Sequence, residues 1–190
     1  IKMYQCKFSN VTKNYLNAFY SILEDMIQGM TRAELTDSLS HNFIVQMIPH
    51  HKAAIEMSKN LLQYTTCVPL QNIALQIVEE QTKSIENMLE IENYCSELVN
   101  SCEDVALYER RVGRIMDVMF SEMNNSCTTN QINDNFMREM IPHHEGAIKM
   151  SRNALQYDIC PDLIPILEAI IASQEKGVIQ MKKLLCNRWC

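Results

Sequence analysis

Apolar residues recur every three or four positions along most of the chain, and no stretch alternates apolar with polar as a half-buried strand does. Tyr15, Phe19, Ile22, Met26 and Met30 mark one such stripe and predict a helix over residues 11–30. Similar stripes predict helices over 40–64 and 69–94, then over 103–123, 133–157 and 162–186. Thr36, Asp37 and Ser40 are cap candidates before the second helix. Pro69 suits the first turn of the third helix, and Asp162 suits an N-cap before the last. Only 4 glycines and 5 prolines punctuate 190 residues, as long helices require. The expected fold class is all-α.

The six helices fall into two sets of three. Residues 41–64 read HNFIVQMIPHHKAAIEMSKNLLQY and residues 134–157 read DNFMREMIPHHEGAIKMSRNALQY, with 15 of 24 positions identical and no gap. The same offset of 93 carries Tyr15 onto Tyr108, Met26 onto Met119, Met30 onto Met123, Cys67 onto Cys160 and Gln81 onto Gln174. A tandem repeat follows, with one three-helix unit over 1–97 and another over 98–190. Three amphipathic helices bury little by themselves, so the units are expected to pack as one bundle. Two independent domains joined near Cys95 to Cys102 are the alternative.

The repeated segment holds Met-Ile-Pro-His-His twice, and with it four of the chain's 5 histidines. On a wheel of about 100° per residue with Met47 at zero, His50 lies at about −60°, Met57 at about −80° and His51 at about +40°. Met47, His50 and Met57 therefore share the apolar face, and His51 flanks it. Met140, His143, Met150 and His144 repeat this layout. Met57 stands roughly 10 Å beyond His50 along an ideal axis, out of reach of a site at Met47 unless the helix bends. Pro49 lacks the N–H for the carbonyl of Val45, which predicts a kink or a helix restart there. The first helix of each unit adds a methionine pair four apart, Met26 with Met30 and Met119 with Met123. Imidazole and thioether suit Cu(I), and both bind without becoming charged, so a monovalent ion is easier to bury than a divalent one.

Composition narrows the reading. Charged residues make up 21% and the net charge is −6 without a basic cluster, which argues against a nucleic-acid partner. No apolar run is long enough to span a membrane. Methionine occurs 13 times, more than core filling ordinarily uses. The 8 cysteines, Cys6, Cys67, Cys95, Cys102, Cys127, Cys160, Cys186 and Cys190, form no C-x-x-C pair and are disulfide candidates. Asn10 and Asn124 open N-glycosylation sequons. The chain opens on Ile1 without a signal peptide. Together these features lead us to expect a processed, secreted protein with disulfides. No nucleophile–base arrangement, phosphate loop or H-E-x-x-H helix is present, so an enzyme is not expected.

Phe43, Met47-Ile-Pro-His-His51, Ala54-Ile-x-Met57, Gln81 and Met88 recur as Phe136, Met140 to His144, Ala147-Ile-x-Met150, Gln174 and Met181. In these residues the chain resembles the ferritin-like domain-of-unknown-function family three hundred and five. The resemblance covers the second and third helices of each unit and implies a ferritin-like helical bundle. Some members are periplasmic or secreted copper binders with His and Met ligands. The cysteines and sequons depart from the bacterial pattern.

Two functions stay open. One is a secreted binder of copper, Cu(I) preferred with zinc conceivable, for sequestration, storage or handover. Its primary ligands would be His50, His51 and Met47, and His143, His144 and Met140, with Met57, Met150 and the paired methionines in support. The other is a structural or interaction module that contacts other extracellular chains and uses the histidines for packing. Convergence of His50, Met47 and a first-helix methionine would mark a site, whereas imidazoles bonded to backbone carbonyls would mark packing.

Overall fold

A computed structural model describes residues 8–187. It contains six α-helices: α1 Asn10–Thr31, α2 Leu39–Leu62, α3 Val68–Cys95, α4 Cys102–Asn124, α5 Ile132–Ala154 and α6 Ile164–Asn187. No strand occurs among the described residues, so the chain is an all-α helical bundle. Cys6 and Cys190 lie outside the described residues.

Local chemistry sets the helix starts. Ser9 and Ser101 cap α1 and α4, each hydroxyl accepting from the amide three residues on, at 3.0 Å from Thr12 and 3.1 Å from Asp104. Glu103 and Asp104 then place negative charge in the first turn of α4, where the helix dipole favours it. Ahead of α2 the cap is Ser38 and not one of the expected residues. Thr36 Oγ1 instead accepts from the Ser38 amide at 3.1 Å, and the Ser40 hydroxyl accepts from the Cys160 amide at 2.9 Å. Asp162 is not an N-cap either. It lies in a 3-10 turn, Pro161–Leu163, that leads into α6, and its carboxylate accepts from the Tyr94 hydroxyl at 2.9 Å.

The helices share a single apolar core. α2 packs between α1 and α3, α5 packs between α4 and α6, and α2 meets α5 while α3 meets α6. Tyr15, Phe19, Phe43, Tyr108 and Phe136 are all buried in this core, as are Met26, Met30, Met47, Met119, Met123 and Met140. The two loops that precede the histidine helices are pinned alike. Asn42 accepts from the Thr36 amide and donates to the Thr36 carbonyl, both at 2.8 Å, and Asn135 does the same to Thr129.

The segment between α3 and α4 is tied down rather than slack. Asn100 accepts from the Leu39 amide at 2.9 Å and donates to the Asp158 carbonyl at 2.6 Å. A disulfide joins Cys95 to Cys160 across 65 positions of sequence. Closing a loop of that length restricts the unfolded chain and stabilises the fold by about 4 kcal/mol. Cys67 is also disulfide-bonded. Cys102, Cys127 and Cys186, which the sequence offers as further candidates, are free and exposed. They sit on α4, the α4–α5 loop and α6, and none is paired with another. No helix is long and apolar enough to cross a membrane among the described residues.

Candidate metal centre

The histidines stand on α2 and α5, the central pair of helices between the halves. Neither proline restarts its helix: α2 runs on through Pro49, and α5 through Pro142. At Pro49 the room comes from α1. A Cβ at Gly29 would fall 2.8 Å from the Pro49 Cβ, so only glycine lets α1 close over the ring at that point.

The spacing predicts a separate set of ligands in each half. The structure instead gathers the four histidines into one cluster. His50 and His143 stack, with ring centroids 3.6 Å apart and planes 29° from parallel. His51 and His144 flank them, each 5.8 Å from its neighbour. All four rings are buried.

Each inner ring is held by the other half's backbone. His50 Nε2 lies 3.0 Å from the His143 carbonyl oxygen, and His143 Nε2 lies 3.0 Å from the His50 carbonyl oxygen. A carbonyl only accepts, so each Nε2 carries the proton and donates it. That leaves each Nδ1 as a bare lone pair. Nδ1 of His50, His51, His143 and His144 is buried without a hydrogen-bond partner. Ligating histidines commonly use this arrangement, in which one nitrogen donates to a carbonyl and the other faces the metal.

Burial also fixes the charge. Desolvation holds His50 down to about 4, the carbonyl bond opposing it. Desolvation and repulsion from His50 hold His144 down to about 3. His51 and His143 are likewise pushed well below the ordinary range, first by burial and then by neighbouring rings. At neutral pH all four are uncharged, the state in which imidazole binds a metal.

The methionines are placed less uniformly. Met47, Met57, Met140 and Met150 are buried on α2 and α5. Met119 reaches α5 at Gly146, three residues past His143, where a Cβ would overlap its sulfur. Met26 lines a small surface cavity with Pro49 and Glu56. Met30 and Met123 sit near the ends of α1 and α4. The Met30 carbonyl accepts from Gln46 at 3.5 Å. Among the described residues no three His, Cys, Asp or Glu side chains form a metal-holding group, so a set of three or more ligands here would need other donors such as thioethers.

Two features lay outside the sequence reading. Tyr15 donates to Glu139 across the halves at 2.6 Å. Glu139 is buried, its other oxygen has no partner, and desolvation raises its carboxyl to about 8 although the tyrosine bond opposes the shift. The sequence shows Glu139 standing where the other half has Gln46; only the fold shows that it is buried. The second feature is Ser84, which hydrogen-bonds His51 Nε2 at 3.1 Å, while the equivalent position in the other half is Gly177.

Comparison with known proteins adds a family. No curated protein matches the chain. Among solved structures, CopM in a silver-bound form obtained by soaking is 26% identical, with a TM-score of 0.59 over 78% of this chain and 95% of that one. CopM in the Cu(II)-bound form is 25% identical, with a TM-score of 0.59 over 78% and 96%. A fragment from Deinococcus radiodurans shares the fold at 20% identity, with a TM-score of 0.57 over 78% of this chain and 96% of that fragment. The family model described as Domain of unknown function (DUF305) matches residues 22–92 and again residues 40–185. The chain belongs to this family.

Proposed function

We propose that this protein binds copper, with Cu(I) preferred, at the histidine cluster between α2 and α5. The observation that carries the reading is the set of four buried, uncharged imidazoles whose Nδ1 atoms have no partner. At His50 and His143, whose Nε2 protons go to carbonyls, the unpartnered Nδ1 is a bare acceptor; burying it is costly unless something satisfies it, and a soft cation does. Thioethers packed around the same helices would complete the coordination, with Met47 and Met140 as nearest candidates in sequence and Met119 drawn in by Gly146. With no fixed anion among the rings, a single positive charge is easier to accommodate than two. Silver and Cu(II) bound to CopM support the same class of ligand. The role is sequestration, storage or handover by a secreted protein; the disulfide and the exposed Asn10 and Asn124 agree with that compartment.

A second reading has its own observation. The reciprocal His50 and His143 bonds to backbone carbonyls meet the packing criterion set out from the sequence, and they make a clasp that holds the halves together whether or not a metal binds. An anaerobic Cu(I) titration against a competing chelator separates the two. In the His50/His143 double substitution to Ala with His51 and His144 also replaced by Ala, high-affinity binding is expected to disappear. Unchanged affinity in that variant leaves only the clasp.

A further inference from the structure

The chain carries a net charge of −6, yet one of its faces is positive. Arg111 and Arg114 on α4 and Lys149 and Arg152 on α5 line an open depression of about 420 Å³, together with Asn153 and Gln156. The members of each pair stand three apart, so they project from the same side of their helix, and the packing of α4 on α5 brings the two pairs together. They are spread over residues 111–152, so no basic run marks them in the sequence.

Only the second half has this face. The 93-residue offset carries Arg111 and Arg114 onto Ala18 and Ser21, Lys149 onto Glu56 and Arg152 onto Lys59. In the first half Lys59 donates to Glu56 at 2.8 Å, so the one basic residue at these positions is neutralised. In the second half no carboxylate lines the depression. Arg111 donates to Gln156 Oε1 at 2.7 Å, and Arg152 pairs with Glu175, which stands outside the lining. Among the described residues, the side chains of Arg114 and Lys149 have neither an ion pair nor a hydrogen bond. Four cations less one carboxylate leave an excess of three positive charges, which repel one another unless an anion joins them.

The lining also holds a donor without an acceptor. Asn153 is 4% exposed and its Nδ2 is buried with no partner. Its equivalent Asn60 donates to the Tyr15 carbonyl at 3.1 Å. The Asn153 amide is not held in that way, and the terminal torsion of asparagine is a soft one, so the group is free to turn toward an acceptor placed in the depression.

We infer that this depression binds a dianionic phosphate monoester, its phosphoryl oxygens taken by the guanidinium groups of Arg111, Arg114 and Arg152 and the ammonium of Lys149. Guanidinium forks match the oxygens of a phosphoryl group and bind them bidentately. A phosphate monoester carries about −1.5 to −2 charges at neutral pH, which suits the local excess better than the single charge of a sulfate ester. The volume lies within the roughly 300–1,000 Å³ of small-molecule sites, so there is room for the alcohol part of an ester beside its phosphoryl group. None of these side chains is a ligand in the copper reading, and the inference stands apart from it.

Titration calorimetry of the metal-free full chain at low salt tests the site, with glucose 6-phosphate, inorganic phosphate, glucose 6-sulfate and glucose as probes. One glucose 6-phosphate is expected per chain, bound at least about tenfold more tightly than glucose 6-sulfate, with no binding of glucose. Lys149→Glu copies the first half and is expected to weaken the phosphate ester at least about tenfold, with Cu(I) affinity unchanged. Arg114→Ala is expected to do the same, and it decides should Lys149→Glu fail to fold. No binding of glucose 6-phosphate, equal affinity for the two esters, or wild-type affinity in either folded variant overturns the site. Inorganic phosphate bound as tightly as glucose 6-phosphate overturns the assignment to an ester and leaves a free anion as the ligand. A chain that binds the ester but no Cu(I) overturns the copper reading and supports this one.

Discussion

The two halves carry the same five-residue motif but different surroundings. At the centre they match closely. Each inner ring bonds the other's carbonyl at 3.0 Å, and each outer ring sits 5.8 Å from its inner neighbour. The aromatic pairs behind them match as well, with Tyr15 and Tyr64 edge-on at 5.9 Å and Tyr108 and Tyr157 at 5.7 Å. Away from the rings the halves part. Gln46 faces Glu139, Ser84 faces Gly177, Ala53 faces Gly146 and Gly29 faces Glu122 across the 93-residue offset. These changes exchange a buried amide for a titratable carboxyl, and alter the partner of an outer ring, the room for Met119 or the room beside the Pro49 ring. The geometry that fixes the imidazoles is common to both halves, and the polar and packing groups around them are not.

The comparison can be broken most directly at its symmetric centre. His50→Ala and His143→Ala should each cost about 3 kcal/mol in urea unfolding, from a buried cavity and a lost cross-half bond, and the two costs should agree within about 0.5 kcal/mol. A clear difference between them would show that the matching distances conceal unequal packing.

A smaller effect separates the two buried tyrosines. Tyr15→Phe strips the partner from a buried carboxyl and should cost about 2 kcal/mol. Tyr108 has a buried hydroxyl without a partner, so Tyr108→Phe should be neutral or slightly stabilising in the same measurement. Equal losses would mean that the Glu139 bond contributes nothing of its own.

A further contrast between the halves lies in the pH dependence of the metal-free protein. A base whose folded value is lowered binds fewer protons folded than unfolded, so it costs stability as the pH falls from the ordinary 6.5 toward about 4 at His50 and about 3 at His144. Glu139 acts oppositely. Its value is raised from 4.5 to about 8, so the folded chain holds a proton that the unfolded chain releases, and stability falls as the pH rises through that window. Glu139→Gln should remove the loss between those limits and leave the acid loss unchanged. Chemical denaturation at several pH values checks both slopes.

The elements were readable in the residues because a three-to-four stripe records which face of a helix is apolar. All six helices begin and end within three residues of the stripes. What a stripe does not record is the surface that covers it. His50 and Met47 share a face on the wheel, yet the partner nearest His50 is a ring 93 positions away. The cap before α2 was missed because Ser38, Ser40 and Thr36 are all good caps, and a tertiary bond from Cys160 to Ser40 together with a local bond from Ser38 to Thr36 decides which one is used. Cysteine pairing depends on which helix ends meet, a property of the assembled bundle. Ser84 against Gly177 was present in the 93-residue offset all along, but without His144 beside it a glycine in a helix carries no message.

The carbonyl clasp has one more consequence. Its acceptors are main-chain oxygens, which every residue type supplies, and each half offers the same donor and the same acceptor. A half is thus complementary to a second copy of itself, which is the condition for an isologous two-fold dimer. The covalent join between α3 and α4 makes that pairing intramolecular. It replaces concentration-dependent association with a fixed high effective concentration, which allows the two halves to change independently while the contact between them persists.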